Sequence, residues 1–154
     1  MREIQRTIAS ALIFSKDGKL LMGKKDPAKG GVYLDCWHIP GGGLNEGESL
    51  EQAVEREVKE EVGIDISSYN LVLISEKGSG VAEKTLPSGE KVLCKMEFNI
   101  FRVDIGDKLA GEIETNLSDD LVEIRWFGPE ELLNVKQIPG GKEYFQKIGL
   151  IAKD

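Results

Sequence analysis

The 154-residue chain carries 27 acidic residues against 20 basic ones, a net charge of −7, and 40% of it is hydrophobic. That length and apolar content suit one core, and the expectation is a single domain over residues 1–154. The acidic balance argues against non-specific binding to nucleic acid polymers or anionic membranes, and no apolar run approaches the ~20 residues of a membrane-spanning helix.

Met1-Arg2-Glu3 leads into no apolar signal-peptide segment. Cys36 and Cys94 form neither a Cys-x-x-Cys pair nor a metal spacing, so the expected home is the reducing cytoplasm, with both thiols as packing residues. Thr7 to Phe14 and Lys19 to Lys25 read as two strands joined by Ser15-Lys16-Asp17-Gly18, whose Asp-Gly pair signals a turn. Lys24 and Lys25 close the second strand with adjacent positive charge, the pattern of a guarded strand end. Asp26 to Asp35, with Pro27, Gly30 and Gly31, is a loop. Its length beside a glycine run suits a substrate wall. His38, the only histidine, sits in a short strand before Pro40 and is read as structural.

The glycine run Gly41-Gly42-Gly43 leads into the best-signalled element of the chain. Ser49 followed by Gln52 has the form of a capping box, and Gly63 suits a left-handed C-terminal residue. Between them Leu50, Val54, Val58 and Val62 recur every four residues and make one apolar stripe. At about 100° per residue, Glu57, Glu60 and Glu61 then share one side of the helix, with Glu61 nearest the buried edge. A solvated face would balance its charges. From Glu46 to Glu61, however, seven glutamates stand against Arg56 and Lys59 alone, and Glu57 meets Glu60 and Glu61 at spacings where like charges repel. Neutralisation from outside is called for, and Mg²⁺ shared between carboxylates and substrate phosphates supplies it. An acidic protein can hold a polyphosphate when cations stand between the two sets of negative charge.

Beyond the helix, Leu71 to Glu76 reads as a strand and Gly78-Ser79-Gly80 as a bend or bulge. Leu86-Pro87-Ser88-Gly89 turns the chain into a longer strand, where Val92, Cys94, Met96, Phe98 and Ile100 alternate with Lys95, Glu97 and Asn99 to give one core face and one polar face. Ile105 to Asp120 is a polar loop. Pro129 to Leu133 opens a short helix, and Pro139-Gly140-Gly141 precedes a terminal helix that packs Tyr144, Phe145 and Ile148. No Walker-type loop occurs, since Gly140-Gly141-Lys142-Glu143 lacks the upstream glycine and the following Ser or Thr, and there is no dinucleotide fingerprint. Phosphates must therefore be met by metal and glycine-loop backbone.

Gly42, five residues, Glu48, seven residues, then Arg56-Glu57-Val58-Lys59-Glu60-Glu61-Val62-Gly63-Ile64 matches the complete signature of the Nudix hydrolases. The Trp37-His38-Ile39-Pro40 approach and the later Trp126-Phe127 and Pro129-Glu130-Glu131-Leu132 also resemble that family. The resemblance implies an α/β/α sandwich around a mixed β-sheet, with the acidic helix on one side and the C-terminal helical region on the other. It implies that Glu57, Glu60, Glu61 and the Gly42 carbonyl hold divalent metal, Mg²⁺ or Mn²⁺, and that Arg56 and Glu48 brace loop and helix by an ion pair. Lys25 matches a basic residue that reaches substrate phosphates in some members. Asp120, with Asp119 beside it, lies where others supply a further carboxylate, so Glu57 and Asp120 both stand as the acceptor of the attacking water's proton.

The implied activity is hydrolysis of a nucleoside diphosphate linked to a further group. Arg6-Thr7-Ile8, Gly31-Val32-Tyr33 and Asp35-Cys36-Trp37 look most like the bacterial nucleoside triphosphatase branch, which would give monophosphate and pyrophosphate. A pool-cleansing triphosphatase, an ADP-ribose or sugar-nucleotide pyrophosphatase and a non-catalytic nucleotide sensor remain as alternatives, and a homodimer is left open. A carboxylate-rich cation-binding module lacks EF-hand spacing and leaves the glycine run unexplained.

Overall fold

The computed structural model describes residues 1–29, 35–118 and 120–153. The readings of Gly30, Gly31-Val32-Tyr33 and Asp119 lie outside the described residues. Among the described residues seven strands form one mixed sheet in the order β3-β2-β1-β6-β5, with β4 paired to β1 and β7 to β2. The strands are β1 Arg2–Phe14, β2 Leu20–Lys25, β3 Trp37–His38, β4 Gly41–Gly43, β5 Val72–Thr85, β6 Lys91–Asp104 and β7 Leu121–Phe127. The helices are α1 Leu50–Val62 and α2 Gly141–Lys147. β1 runs parallel to β6 over its whole length, from Arg2 opposite Val92 to Phe14 opposite Asp104.

Two cores flank this sheet. On one face α1 buries Ala53, Val54, Val58 and Val62 against Ala9, Ala11 and Ile13 of β1 and Phe101 and Val103 of β6. Each fully buried valine contributes about 1.5–3 kcal/mol to holding the helix there. On the other face Leu12, Phe14, Leu20 and Met22 meet Leu132 and Phe145, with Tyr144 and Ile148 packed alongside. The acidic helix and the C-terminal helix thus cover opposite faces, as the sandwich reading requires.

Where the structure departs from the sequence reading, long-range pairing is the cause. β1 begins at Arg2 rather than near Thr7 because β6 supplies a partner from Val92 onward. β5 runs through the glycines to Thr85. Its irregularity falls between Leu73 and Gly78, and Lys77 adopts a φ of 57°. Asn99, read on the polar face, is only 3% exposed, because it shares its face of β6 with Phe101 and Val103, which lie in the core that α1 covers. Its side chain accepts from the Lys77 N–H at 3.3 Å and donates to the Ile8 carbonyl at 3.3 Å, which satisfies it inside the sheet. The predicted helix at Pro129 to Leu133 is a single 3₁₀ turn, Glu131–Asn134. Cys36 and Cys94 are free and buried, and among the described residues no helix is long and apolar enough to cross a membrane.

Candidate active site

The caps set where the α1 carboxylates point. Ser49 accepts from the Gln52 N–H at 3.1 Å, and Gln52 returns the bond by accepting from the Ser49 N–H at 2.9 Å. At the other end Gly63, with φ 77°, donates its N–H to the Lys59 carbonyl at 3.0 Å. With the valine stripe buried, Glu57 and Glu61 are carried toward β4, which lies antiparallel on β1 with Gly42 opposite Ala9. The Glu57 carboxylate sits so close to Gly42 that a Cβ there would collide with its carboxyl carbon and both oxygens. Glycine is required at residue 42 by this approach, and the backbone angles are ordinary.

Arg56 ties the loop to the helix. Its Nε and Nη2 donate to the two Glu48 oxygens at 2.7 and 2.8 Å, Nη2 also donates to the Gly43 carbonyl at 2.9 Å, and Nη1 reaches Glu57 Oε1 at 2.8 Å and Glu60 Oε2 at 3.2 Å. The Arg56 guanidinium and the Asn45 N–H hold the Glu48 carboxyl down at about 2, and its carboxylate partners push Arg56 above its usual value.

Glu61 is in the opposite situation. Burial, together with the nearby Glu57 and Asp120 carboxylates, raises it to about 8, although Lys25 and the Gly41 N–H pull the other way. Its Oε1 is buried without a hydrogen-bond partner. The neighbour at 3.7 Å is His38 Nδ1, but burial and the Lys25 charge lower His38 to about 4. The ring is therefore neutral near pH 7, with Nδ1 bonded to the Ile39 carbonyl at 3.0 Å, and it gives Glu61 no counter-charge. His38 Nε2 is likewise buried and unpartnered.

The structure thus brings together Gly42, Glu57, Glu61, Lys25 and Asp120, with Glu48 and Arg56 behind them. Glu60 stands apart. It is 62% exposed and turned toward Arg56, and among the described residues no three His, Cys, Asp or Glu side chains converge at cation-binding distances. The paired lysines diverge: Lys24 bonds Asp35 at 3.3 Å, whereas Lys25 lines a cavity of about 340 Å³ that opens at Gly41, Gly42 and His38. Ile8, Met96, Phe98, Trp37, Ile138 and Tyr144 are among the side chains that line this cavity. It has the size and apolar lining of a small-molecule site. Sequence reasoning missed Arg6 and Tyr144 in this lining and His38 against Glu61. Strand periodicity gave only their face of the sheet, and β1–β6 and β2–β3 pairing decides the rest.

A curled sheet between two helices, with an acidic helix braced on a glycine strand at the mouth of an apolar cavity, is the architecture of an α/β/α hydrolase. The chain belongs to the Nudix family: the NUDIX domain profile matches residues 4–148. It is similar to nucleoside triphosphatase NudI of Escherichia coli, 30% identical over 130 residues that cover 84% of this chain and 86% of that one. In fold it is similar to the MutT protein of Methanosarcina mazei, with a TM-score of 0.63 at 24% identity over 96% of this chain and 94% of the other. It is also similar in fold to the NUDIX domain of Shewanella oneidensis NrtR in complex with ADP ribose, with a TM-score of 0.62 at 14% identity over 95% and 87%. The chain is accordingly a Nudix hydrolase, a family that generally needs divalent metal ions.

Proposed function

We propose that this hydrolase cleaves a phosphoanhydride of a nucleoside diphosphate linked to a further group, with a (deoxy)nucleoside triphosphate as the first choice, giving the monophosphate and pyrophosphate. The similarity to a nucleoside triphosphatase supports this reading. The observation that carries it is Glu61 Oε1, buried and unpartnered beside Glu57 and Gly42 at the cavity mouth. A buried carboxyl oxygen without a hydrogen-bond partner is costly, and oxygen donors are what hard divalent cations take. The residues present therefore fit Mg²⁺, or Mn²⁺ in its place, held by Glu57, Glu61 and the Gly42 carbonyl, with Glu60 joining them by turning away from Arg56. When bound, the cation supplies charge neutralisation at the phosphoryl oxygens and lowers the pKa of the attacking water.

The remaining steps fall to the chain's own groups. The base and sugar enter the apolar cavity, which fixes the phosphate chain at Gly41 and Gly42. Lys25 meets the negative charge of the phosphates. Water oxygen attacks phosphorus, the bridging P–O bond breaks, and the water's proton passes to a carboxylate, Glu57 or Asp120. Arg56 and Glu48 keep Glu57 in place by holding the loop at the Gly43 carbonyl. Positioning of this kind, with charge stabilisation, dominates phosphoryl transfer.

The test is a panel of nucleoside triphosphates, ADP-ribose and sugar nucleotides with Mg²⁺, the products resolved by chromatography. Triphosphate turnover to monophosphate and pyrophosphate is expected. Faster turnover of ADP-ribose or a sugar nucleotide would move the substrate to that class, and binding without turnover of any phosphoanhydride would make the protein a nucleotide sensor.

A further inference from the structure

Outside the acidic site, positive charge gathers at and near the cavity rim from three distant parts of the chain. Arg6 of β1 and Lys25 of β2 both line the cavity. The Arg6 guanidinium lies against Gly43, where a Cβ would run into it, so it sits one residue from the Gly42 site. Lys84 of β5 joins them: burial and the like charges of Arg6 and Lys25 hold its ammonium below the usual lysine value. The register sets Arg6 and Lys84 on one face of the sheet, with Lys84 two same-face positions along β5 from the row of Arg6. Arg6, Met96 and Gly80 share one row across β1, β6 and β5, and Ala82 lies between Gly80 and Lys84 on the same face. With only glycine and alanine in that stretch, no large side chain of β5 separates Lys84 from Arg6.

Among the described residues neither Arg6 nor Lys84 makes a side-chain ion pair or hydrogen bond. An exposed edge lysine normally points into water, away from other cations. Here Arg6 and Lys25 line one cavity and Lys84 lies near enough to feel the charge of both, an arrangement that becomes favourable only when an anion enters it.

We propose that Arg6 and Lys84, together with Lys25, bind the terminal phosphates of a nucleoside triphosphate and so select triphosphates over diphosphates linked to a sugar. This rests on the hydrolase reading above and adds two specificity-determining residues to it. The γ-phosphate of a triphosphate brings negative charge to the place where a sugar-linked diphosphate brings neutral hydroxyls. Only the triphosphate neutralises all three cations.

The experiment uses Arg6→Gln, Lys84→Gln and the double variant, with circular dichroism to confirm folding and Arg6→Lys as a charge-conserving control. Binding of inorganic tripolyphosphate is measured by calorimetry without metal, and kcat and KM are measured for a nucleoside triphosphate and for ADP-ribose. Each single charge removal is expected to weaken tripolyphosphate about tenfold, as losing a charge-assisted contact does. KM for the triphosphate should rise by a similar factor and by more than KM for ADP-ribose, and Arg6→Lys should recover part of the loss. Unchanged tripolyphosphate affinity and unchanged triphosphate KM in both single variants would overturn the assignment. Lys84→Gln decides the matter alone if Arg6→Gln does not fold. Should the wild type hydrolyse no phosphoanhydride, the hydrolase reading falls, and tripolyphosphate binding still decides the role of the cluster.

Discussion

Arg56 and Glu48 form a two-point ion pair, Nε to Oε2 at 2.7 Å and Nη2 to Oε1 at 2.8 Å, and the same Nη2 holds the Gly43 carbonyl at 2.9 Å. A side chain eight residues into the loop-helix segment thereby locks the glycine strand to the helix. The planar guanidinium is suited to this, and lysine lacks the fork.

The pair has a pH signature. Glu48 is depressed to about 2 in the folded chain against an ordinary 4.5, so its contribution to stability is fully present above 4.5 and is lost as pH falls toward 2. Glu48→Gln should therefore lose stability at pH 7 and show a smaller further loss between pH 4.5 and 2 than wild type. Urea unfolding at several pH values reads this directly. Parallel curves for the two proteins would mean that the pair is thermodynamically silent. Arg56→Gln should lower Tm by about 5 °C and also reduce turnover, because the Gly43 carbonyl and three carboxylates lose one donor together.

Glu61→Gln should separate catalysis from folding. The metal-free wild type gains nothing from a buried carboxyl with an unpartnered oxygen, and glutamine keeps its shape. Its metal-free Tm should match or slightly exceed wild type, while the Tm increase produced by Mg²⁺ is lost and turnover falls at least about a hundredfold. Thermal melts with and without Mg²⁺, beside an activity assay, check this. A variant that unfolds, or one that keeps wild-type turnover, would make Glu61 a structural helix residue.

Chelation gives a third outcome. Excess EDTA should abolish turnover and lower Tm to that of the metal-free protein, since the buried Glu61 carboxyl then loses the cation that offsets its burial and the nearby Glu57 and Asp120 charges. Full activity in EDTA would remove the cation from the reaction.

The local parts of the site were legible in the sequence because they depend on spacing within a few turns of chain. Ser49 with Gln52, Gly63 and the valine stripe all read correctly, for caps and amphipathicity are set by neighbours. What could not be read depends on sheet register. Arg6 and Lys84 share one face of the sheet only because β1 pairs with β6 and β6 with β5. His38 reaches Glu61 only through β3 pairing with β2. Glu60 shares a helix face with Glu57 and Glu61, yet it turns outward because Arg56 offers it a partner there. Helical periodicity places three carboxylates on one side without saying which of them a neighbouring guanidinium will draw away.

Gly42→Ala tests the approach of loop to helix. Residue 42 has ordinary backbone angles, so alanine is conformationally acceptable there and its only penalty is the collision of the new methyl with the Glu57 carboxylate. That carboxylate is already tethered through Oε1 to Arg56, so it cannot move far without giving up the tether, and a shift of about 1 Å at a reacting centre costs on the order of a hundredfold in rate. The expected result is a folded protein with Tm within a few degrees of wild type and turnover reduced about a hundredfold. Gly89→Ala supplies the contrast. In the turn between β5 and β6 its φ of 87° disfavours a side chain, while nothing lies within 4 Å of the added atom. It should lose about 1 kcal/mol of stability and keep its activity. If Gly42→Ala instead behaves as Gly89→Ala should, with stability lowered and turnover intact, then the contact between Gly42 and Glu57 plays no part in the reaction, and the glycine serves the strand alone.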